Sequence, residues 1–447
     1  MATDTQYWVW LGTALGYGSH AIKPLLERFG DAKGVFDADE EALLHIEGLS
    51  AMERKALLSH ELSRAEEVAN YAFRGGIRII PLTDTAYPSA LRAIPNPPTV
   101  LYLRGRVPEW NSLPCISVVG ARAMSYYGAE ATCEIAYDLA RMGCITVSGM
   151  ALGVDGAVAA ATLAAGGQTV AVLGSGIDYV YPHEHRELYR SIIEKGGAVI
   201  TEFPPYEGAD GFHFPLRNRI ISGLSAAVIL VEGEANSGAM ITARYAKKHE
   251  RCVFAVPGKI GEKNSEAPHL LLKGDAKLLT CADDVYDTFK EEYFSVMNPF
   301  ALLPKVTLNV EAILRDYAVS VGKEKAREKK LLGGGNGSKP SLGGVIEKIR
   351  NVLGTDSKST NNNKANDNIR QDVESKRRSL DEERRELLSK TAYAIYEKLD
   401  YQVPRHPDEI EITSMDASVI SAELITMEVL GCVDAVAGGR YIKNENE

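Results

Sequence analysis

Short apolar runs that end in glycine or a polar residue recur between Cys115 and Phe289. They read CISVVGAR, ITVSGMALG, TVAVLGSG, AVITEFPP, AAVILVEG and CVFAVPG. About 15 to 25 residues with helical periodicity separate one run from the next. Parallel strands need a long crossover connection, usually a helix, and strands covered on both faces read as continuous apolar runs. The sequence therefore predicts an α/β fold with a doubly wound, mostly parallel, Rossmann-like sheet.

Small residues follow the carboxyl ends of these predicted strands. They form the segments Gly120-Ala121-Arg122, Ser148-Gly149, Gly174-Ser175-Gly176 and Asn236-Ser237-Gly238. In a doubly wound sheet the ligand lies beyond this edge. Small residues there let backbone N–H groups approach an anion closely, so we predict a ligand that carries phosphate. The alternative is that the glycines only allow tight turns between strand and helix.

A run of polar side chains, Arg217, Asn218 and Arg219, follows the aromatic segment FHF. Guanidinium groups pair with phosphates, and aromatic rings are platforms on which bases stack. The segment is therefore a candidate binding site for nucleic acid. The alternative is a helix start at which the arginines meet acidic neighbours such as Glu202 and Glu232, while the phenylalanines fill the core.

A third basic cluster lies in the segment ARYAKKHERCVFAVPGK. We predict that Lys247, Lys248 and Arg251 lie on a solvated helix face. Lys259 follows a predicted strand end and is the better ligand candidate.

Motifs for catalysis, cofactors and metals are incomplete in this sequence. GSGIDY lacks the third glycine of a dinucleotide-binding loop, and neither a P-loop nor a G-x-S-x-G elbow occurs. His183 and His185 lack the further ligands that would complete a zinc site. We therefore predict a protein that is not an enzyme and that uses no cofactor or metal.

Composition narrows the class of protein. The 447 residues carry a net charge of −10, so any nucleic-acid site must be local. The 6 cysteines are scattered, which is typical of reduced thiols in a cytoplasmic protein. No apolar run approaches the ~20 residues that span a bilayer, and the start MATDTQYWVW has no signal-peptide pattern.

Four regions differ in composition. We predict an N-terminal helical domain at 1–75, a Rossmann-like domain at 76–295, a flexible basic linker at 296–390 and a winged-helix domain at 391–447. Within the second region, 76–105 is Pro-rich and predicts an edge strand with a covering loop.

The terminal regions contain weaker signals. The segment HIEGLSAMERKALL is half of a helix-hairpin-helix pattern, in which Ser50 replaces the usual second glycine. Its alternative is a plain packing turn. The segment 301–390 carries a charge of +6 and 391–447 a charge of −7. An acidic winged helix favours a protein-binding or structural role over DNA reading.

The motifs VVGAR, VSGMALGVDGA, LGSGIDYVYPHEHRELY, FHFPLRNRIISGLS and VFAVPG occur in this order. These motifs and their order resemble those of the DNA processing protein A (DprA/Smf) family. The resemblance covers about Thr85 to Phe289. It implies a homodimer that binds single-stranded DNA in a basic pocket and brings RecA recombinase to the strand in natural transformation. Carried onto this chain, the pocket residues are Arg122, Gly149, Ser175, Arg217, Asn218 and Arg219.

The chain departs from the family pattern at several positions. Leu152 and Ala159 stand where the family has Arg and His, His269 replaces an Asn, and Ala239 replaces a Ser. An alternative function is a nucleotide-processing phosphoribohydrolase, which shares this Rossmann variant. Its P-G-G-x-G-T-x-x-E motif is absent from the corresponding segment GEANSGAMITA. A third alternative is a structural scaffold that works through the acidic C-terminal region.

Overall fold

The computed structural model describes residues 3–298, 301, 308–331 and part of the segment between 385 and 443. Short helices form the N-terminal region: α1 (Asp4–Leu15), α2 (Ile22–Phe29), α3 (Ala32–Phe36), α4 (Glu40–Leu43), α5 (Ala51–Leu58) and α6 (Ser63–Arg74). Trp8 and Leu11 of α1 are fully buried in the core. The predicted N-terminal helical region is therefore present.

Ser50, at the position of the missing helix-hairpin-helix glycine, caps α5. Its hydroxyl accepts from the Glu53 N–H at 3.1 Å, and the Glu53 carboxylate accepts from the Ser50 N–H at 2.8 Å. This capping box satisfies donors at the helix start from within the chain. The geometry favours a packing turn over a phosphate-binding hairpin.

A single large sheet organises the middle of the chain. Its strands are β1 (Arg78–Pro81), β2 (Val100–Gly105), β3 (Cys115–Val119), β4 (Ile145–Ser148), β5 (Thr169–Val172), β6 (Ala198–Thr201), β7 (Ala227–Leu230), β8 (Cys252–Ala255) and β9 (Lys277–Leu278). Among the described residues the order is β1-β2-β6-β5-β4-β3-β7-β8-β9. In this order, every neighbouring pair from β6 through β5, β4, β3, β7 and β8 to β9 is parallel. The pairs β1–β2 and β2–β6 are antiparallel. The predicted fold class and edge strand are confirmed.

Helices cover both faces of the sheet. They are α7 (Ser89–Ala93), α8 (Tyr126–Arg141), α9 (Val154–Ala164), α10 (Arg186–Glu194), α11 (His213–Leu224), α12 (Gly238–Lys248), α13 (Glu266–Lys273) and α14 (Asp283–Phe289). Side chains of β3 alternate between two cores, with Ile116 and Val118 on one face and Cys115 and Val119 on the other. The order of the strands reverses at β3, so the loops after β3 and β7 border a crevice at the carboxyl edge.

The structure corrects the start of the predicted linker. Residues Val310–Leu331 form a helix, α15, and its Val310 and Leu314 are buried in the same core as α8 and α9. Val310, Ile313, Leu314 and Tyr317 follow the spacing of one helix face. The many charged residues after them hid this apolar face in the sequence.

The described C-terminal residues agree with the predicted elements. Lys390–Tyr396 form a helix, α16, and Pro407–Glu409 a 3-10 helix, while β10 (Val433–Val436) pairs with β11 (Arg440–Lys443) in antiparallel fashion. Ile420, Leu424 and Met427, from the third predicted helix, share a buried cluster with α16. The rest of that helix and the Gly-Gly turn lie outside the described residues, so the winged helix stays a prediction. None of the described helices is long and apolar enough to cross a membrane.

Candidate nucleic-acid interface

An exposed cation lies beside aromatic rings at the carboxyl edge of the sheet. Arg122, in the loop after β3, is exposed, and its Cζ lies 5.9 Å from the centre of the Phe214 ring. The ring of Tyr181, in the loop after β5, lies 5.4 Å from the same ring. We call Arg122, Tyr181 and Phe214 the edge surface. A guanidinium and two accessible rings are the chemistry that binds phosphates and stacks bases.

Arg217 lies beneath the edge surface and ties its loops together. Its side chain is buried, and Nη1 donates to the carbonyl oxygens of Gly149, at 2.8 Å, and of Val172. Its Cζ is 6.0 Å from the centre of the Phe214 ring. Burial lowers the pKa of Arg217 to about 10, and the carboxylate of Asp155 opposes that shift. Arg217 therefore joins the ends of β4 and β5 from below.

Gly149 leaves room for this arrangement. A Cβ at Gly149 would lie 2.6 Å from Nη2 of Arg217 and 2.8 Å from Oδ2 of Asp155. The Gly149 N–H donates to Asp155 at 2.9 Å, and the Ala151 N–H donates to it at 3.3 Å. The sequence suggested that the Gly149 N–H binds an external anion. In the structure it donates to the carboxylate of Asp155 instead. Burial raises the pKa of Asp155, and Arg217 acts against it.

Ser175 and Asn218 organise neighbouring loops. The Ser175 hydroxyl is buried and donates to the Tyr179 carbonyl at 2.7 Å. Asn218 donates from Nδ2 to the carbonyl of Gly238, at the start of α12, at 3.1 Å. Both predicted site residues therefore lie near the edge and hold its backbone in place.

Arg219 lies elsewhere, although only two positions separate it from Arg217. It is fully buried and forms an ion pair with Glu202, and Nη1 donates to the Asn96 carbonyl at 2.8 Å. The alternative in which an arginine meets Glu202 is therefore confirmed for Arg219. In this arrangement its guanidinium faces the junction with the N-terminal helices and not the edge surface.

Lys259 is the last predicted site residue, and Glu232 is the second acidic neighbour that the alternative named. Lys259 is exposed in the loop after β8, two strands from β3. Glu232 is buried, and it accepts from the Ser125 N–H at 2.8 Å and from the Ser125 hydroxyl at 2.5 Å. The carboxylate therefore stabilises the start of α8 and does not pair with Arg217 or Arg219.

Two aromatic residues at this edge are not among the predicted site residues. Tyr179 and Tyr181 are 40% and 42% exposed, in the loop between β5 and α10. The ring of His183 lies 5.6 Å from Tyr179 and 6.1 Å from Tyr181. The signal was available in the segment DYVYPHEH, whose aromatic residues alternate beside a strand end.

Helix α15 supports the same edge from behind. The Tyr317 hydroxyl lies 2.8 Å from Nε2 of His185, and Nδ1 of His185 lies 2.9 Å from the Met150 carbonyl oxygen. Burial lowers the pKa of His185, which favours the neutral ring. This chain of contacts fixes the backbone next to Gly149.

The side chains available in the described part of the chain limit the ligand chemistry of this edge. No group of three or more His, Cys, Asp or Glu side chains there could hold a metal ion. The edge surface itself contains cationic and aromatic groups only. The arrangement can bind an anionic, base-bearing polymer by ion pairing and stacking.

Comparison with known proteins agrees with this picture. The model of the DNA recombination-mediator protein A family matches residues 78–290. Protein Smf of Escherichia coli (strain K12) is 34% identical over 288 residues, which cover 64% of this chain and 75% of that protein. DNA processing protein DprA of Bacillus subtilis (strain 168) is 36% identical over 225 residues, 50% of this chain and 75% of that protein.

A solved structure is similar over a comparable span. The X-ray structure of DNA processing protein A from Streptococcus pneumoniae has a TM-score of 0.55 and 30% sequence identity, and it covers 64% of this chain and 98% of that one. The relatives, the structure and the family model point the same way. The chain belongs to the DNA recombination-mediator protein A family.

Proposed function

We propose that this protein binds single-stranded DNA on the edge surface and brings RecA recombinase to the bound strand, without chemistry of its own. The observation that carries the proposal is the exposed Arg122 within 5.9 Å of the Phe214 ring, with Tyr181 beside it. Stacking needs unpaired bases, so these rings favour single strands over duplexes. The names of the similar proteins, which refer to DNA processing, support the same class of ligand.

The family resemblance also supplies the cellular part of the proposal. We propose that the protein acts in the cytoplasm as a homodimer, in DNA uptake and homologous recombination. Arg122 and Lys259 are the exposed members of the predicted binding set. Gly149, Ser175, Arg217 and Asn218 act by shaping the loops, and Arg219 acts by holding the junction below them.

The phosphoribohydrolase alternative is not favoured. Glu232, which directly precedes the segment GEANSGAMITA, is buried and accepts from Ser125 at the start of α8, and Glu234 within the segment forms an ion pair with Lys263. A general base or nucleophile needs access to its substrate. A nucleotide-hydrolysis assay with Glu232→Gln as the control variant separates the two functions.

The direct test is the binding of fluorescent oligo-dT and of its duplex across a range of salt concentrations. We expect a preference for the single strand, and a log–log salt slope that falls by about 0.7 in Arg122→Ala, because each neutralised phosphate contributes about that amount. Lys247→Ala removes an exposed charge on α12 and serves as the matched control, with an unchanged slope. Absent binding, or binding insensitive to Arg122→Ala, would refute the proposal.

A further inference from the structure

A cavity of about 250 Å³ lies between the N-terminal helices and the α/β domain. The loop after α1 contributes Tyr17, α6 contributes Arg64, and the segment after β6 contributes Glu202 and Glu207. Arg219 of α11 also lines it. The edge surface uses none of these residues. A cavity of about 150 Å³ is enough to bind benzene, so this one has room for a small heterocycle.

The start of α11 separates the cavity from the edge surface. The His213 ring stacks on Phe203 at 4.0 Å, and Tyr17 contacts both rings at 5.6 and 4.6 Å. The next residue, Phe214, contacts Arg122 and Tyr181 instead. His213 therefore contacts residues on the side of the cavity, whereas the adjacent Phe214 contacts the edge surface.

Two buried polar atoms, on residues that line the cavity, lack a partner. Among the described residues, Oε1 of Glu202 and Nε of Arg219 have no hydrogen-bond partner. The side chains are only 5% and 0% exposed, and their ion pair uses the other atoms, Oε2 and Nη2. A buried acceptor and a buried donor left unpaired are costly. They lie on the same ion pair, so one small molecule with an adjacent donor and acceptor can satisfy both.

The charge of the lining favours a neutral ligand. Arg64 and Arg219 balance Glu202 and Glu207. Glu207 is already engaged, since it accepts from the Tyr17 hydroxyl at 2.7 Å and lies 3.4 Å from Nε2 of His213. The acceptor that remains free in the floor is that of Glu202.

We propose that this cavity binds a free nucleobase or nucleoside, with an amino donor of the base on Glu202, a ring nitrogen on Arg219, and Tyr17 along one side. Adenine offers this pattern, because its N6 amino group donates beside the N7 acceptor. Purine riboside has the same ring nitrogens but no amino group, so it offers acceptors and no donor to Glu202. The site should therefore discriminate adenosine from purine riboside.

The test is calorimetric titration of the full-length protein with adenosine and with purine riboside. We expect saturable binding of adenosine and at least about tenfold weaker binding of purine riboside, equivalent to about 1.4 kcal/mol. Glu202→Gln and Tyr17→Ala should each weaken adenosine binding by about tenfold or more. Tyr126→Ala, at a tyrosine 50% exposed at the start of α8, is the control that keeps adenosine binding.

The proposal would be overturned by a lack of saturation at millimolar adenosine, by equal affinity for adenosine and purine riboside, or by undiminished binding in Tyr17→Ala. Tyr17→Ala decides the question if Glu202→Gln proves unstable, and denaturant unfolding checks the folding of each variant. A zwitterionic amino acid that competes with adenosine would also count against a base site. Oligo-dT binding by the same preparations reports on the edge surface separately, so failure of one site is distinguishable from failure of the other.

Discussion

Arg217 and Arg219 lie two positions apart on α11, and both are buried, yet they serve different regions. Arg217 donates to backbone carbonyls at the ends of β4 and β5. Arg219 has a carboxylate partner in Glu202 and a carbonyl partner in Asn96. The first arginine shapes the loops under the edge surface, and the second joins the sheet to the N-terminal side. Arg217 and Arg219 are therefore close in sequence but do not belong to one binding site.

The net charge of the protein is −10, so the anion site that we propose depends on a few exposed cationic groups. Burial of two arginines in the scaffold leaves Arg122 as the exposed guanidinium of the edge surface. Variants of the buried pair should therefore change stability or loop geometry, whereas variants of the edge surface should change affinity alone.

The largest expected effect is on the Arg219 side. Arg219→Ala would leave the buried Glu202 carboxylate without its partner, and we expect the free energy of unfolding to fall by about 3–5 kcal/mol. Arg122→Ala is the control, with a change within about 0.5 kcal/mol, since its side chain is exposed. Urea titration measures the loss of unfolding free energy in both variants. Equal losses would contradict the division between the buried Arg219 and the exposed Arg122.

A smaller effect is expected at Gly149, on the Arg217 side. In Gly149→Ala the new Cβ would meet Arg217 and Asp155 at under 3 Å. We expect a loss of about 1–3 kcal/mol from overpacking, together with weaker binding of oligo-dT. Gly208→Ala, which lies outside the loops of the edge surface and whose Cβ would meet nothing within 4 Å, is the matched control. Unfolding and binding assays that find the two variants alike would contradict this account.

The aromatic part of the edge surface should affect affinity and not stability. Tyr181→Ala should weaken oligo-dT binding by about 1–3 kcal/mol if one base stacks on this ring. Phe73→Ala removes a ring that is 85% exposed on α6 and should leave binding unchanged. Fluorescence titration compares them. Equal affinities for the two variants would remove Tyr181 from the site.

The stability of the protein should depend on pH through His249, which lies near Arg219. Burial lowers the pKa of His249 to about 3, and the nearby Arg251 and Arg219 add to the shift. The unfolded state gains a proton below pH ~6.5 and the folded state does not. Stability should therefore fall as pH decreases from ~6.5 towards ~3, by at most about 1.4 kcal/mol per pH unit for this group.

His249→Gln isolates that contribution, because the variant has no group to titrate at this position. Denaturant titrations at a series of pH values should give a shallower decline in the variant than in the wild type. Parallel declines would mean that His249 does not carry the effect.

The sheet could be predicted from the sequence because its buried parallel strands read as unbroken apolar runs. The apolar runs that begin near Cys115 and end near Ala255 became β3 to β8. Helix α15 escaped prediction because its apolar face is short and many charges follow it. The sequence pattern therefore predicts an element reliably where both of its faces are buried, and poorly where only one face is buried.

The site was predictable in part. Arg122 followed from its place after a strand, at the edge where ligands of such sheets lie. The pairing of Arg219 with Glu202 could be raised only as an alternative, because the contact joins α11 to the end of β6. Tyr179 and Tyr181 were overlooked because loop aromatics have no periodicity that would mark them as exposed.

The most direct test of the central claim is hydrogen–deuterium exchange of the full chain with and without oligo-dT. We expect the strand to protect amides in 120–125, 176–183 and 211–216, the loops around Arg122, Tyr181 and Phe214. Protection centred instead on 12–19, the segment that lines the cavity together with Arg219, would contradict the division of the molecule between the two arginines.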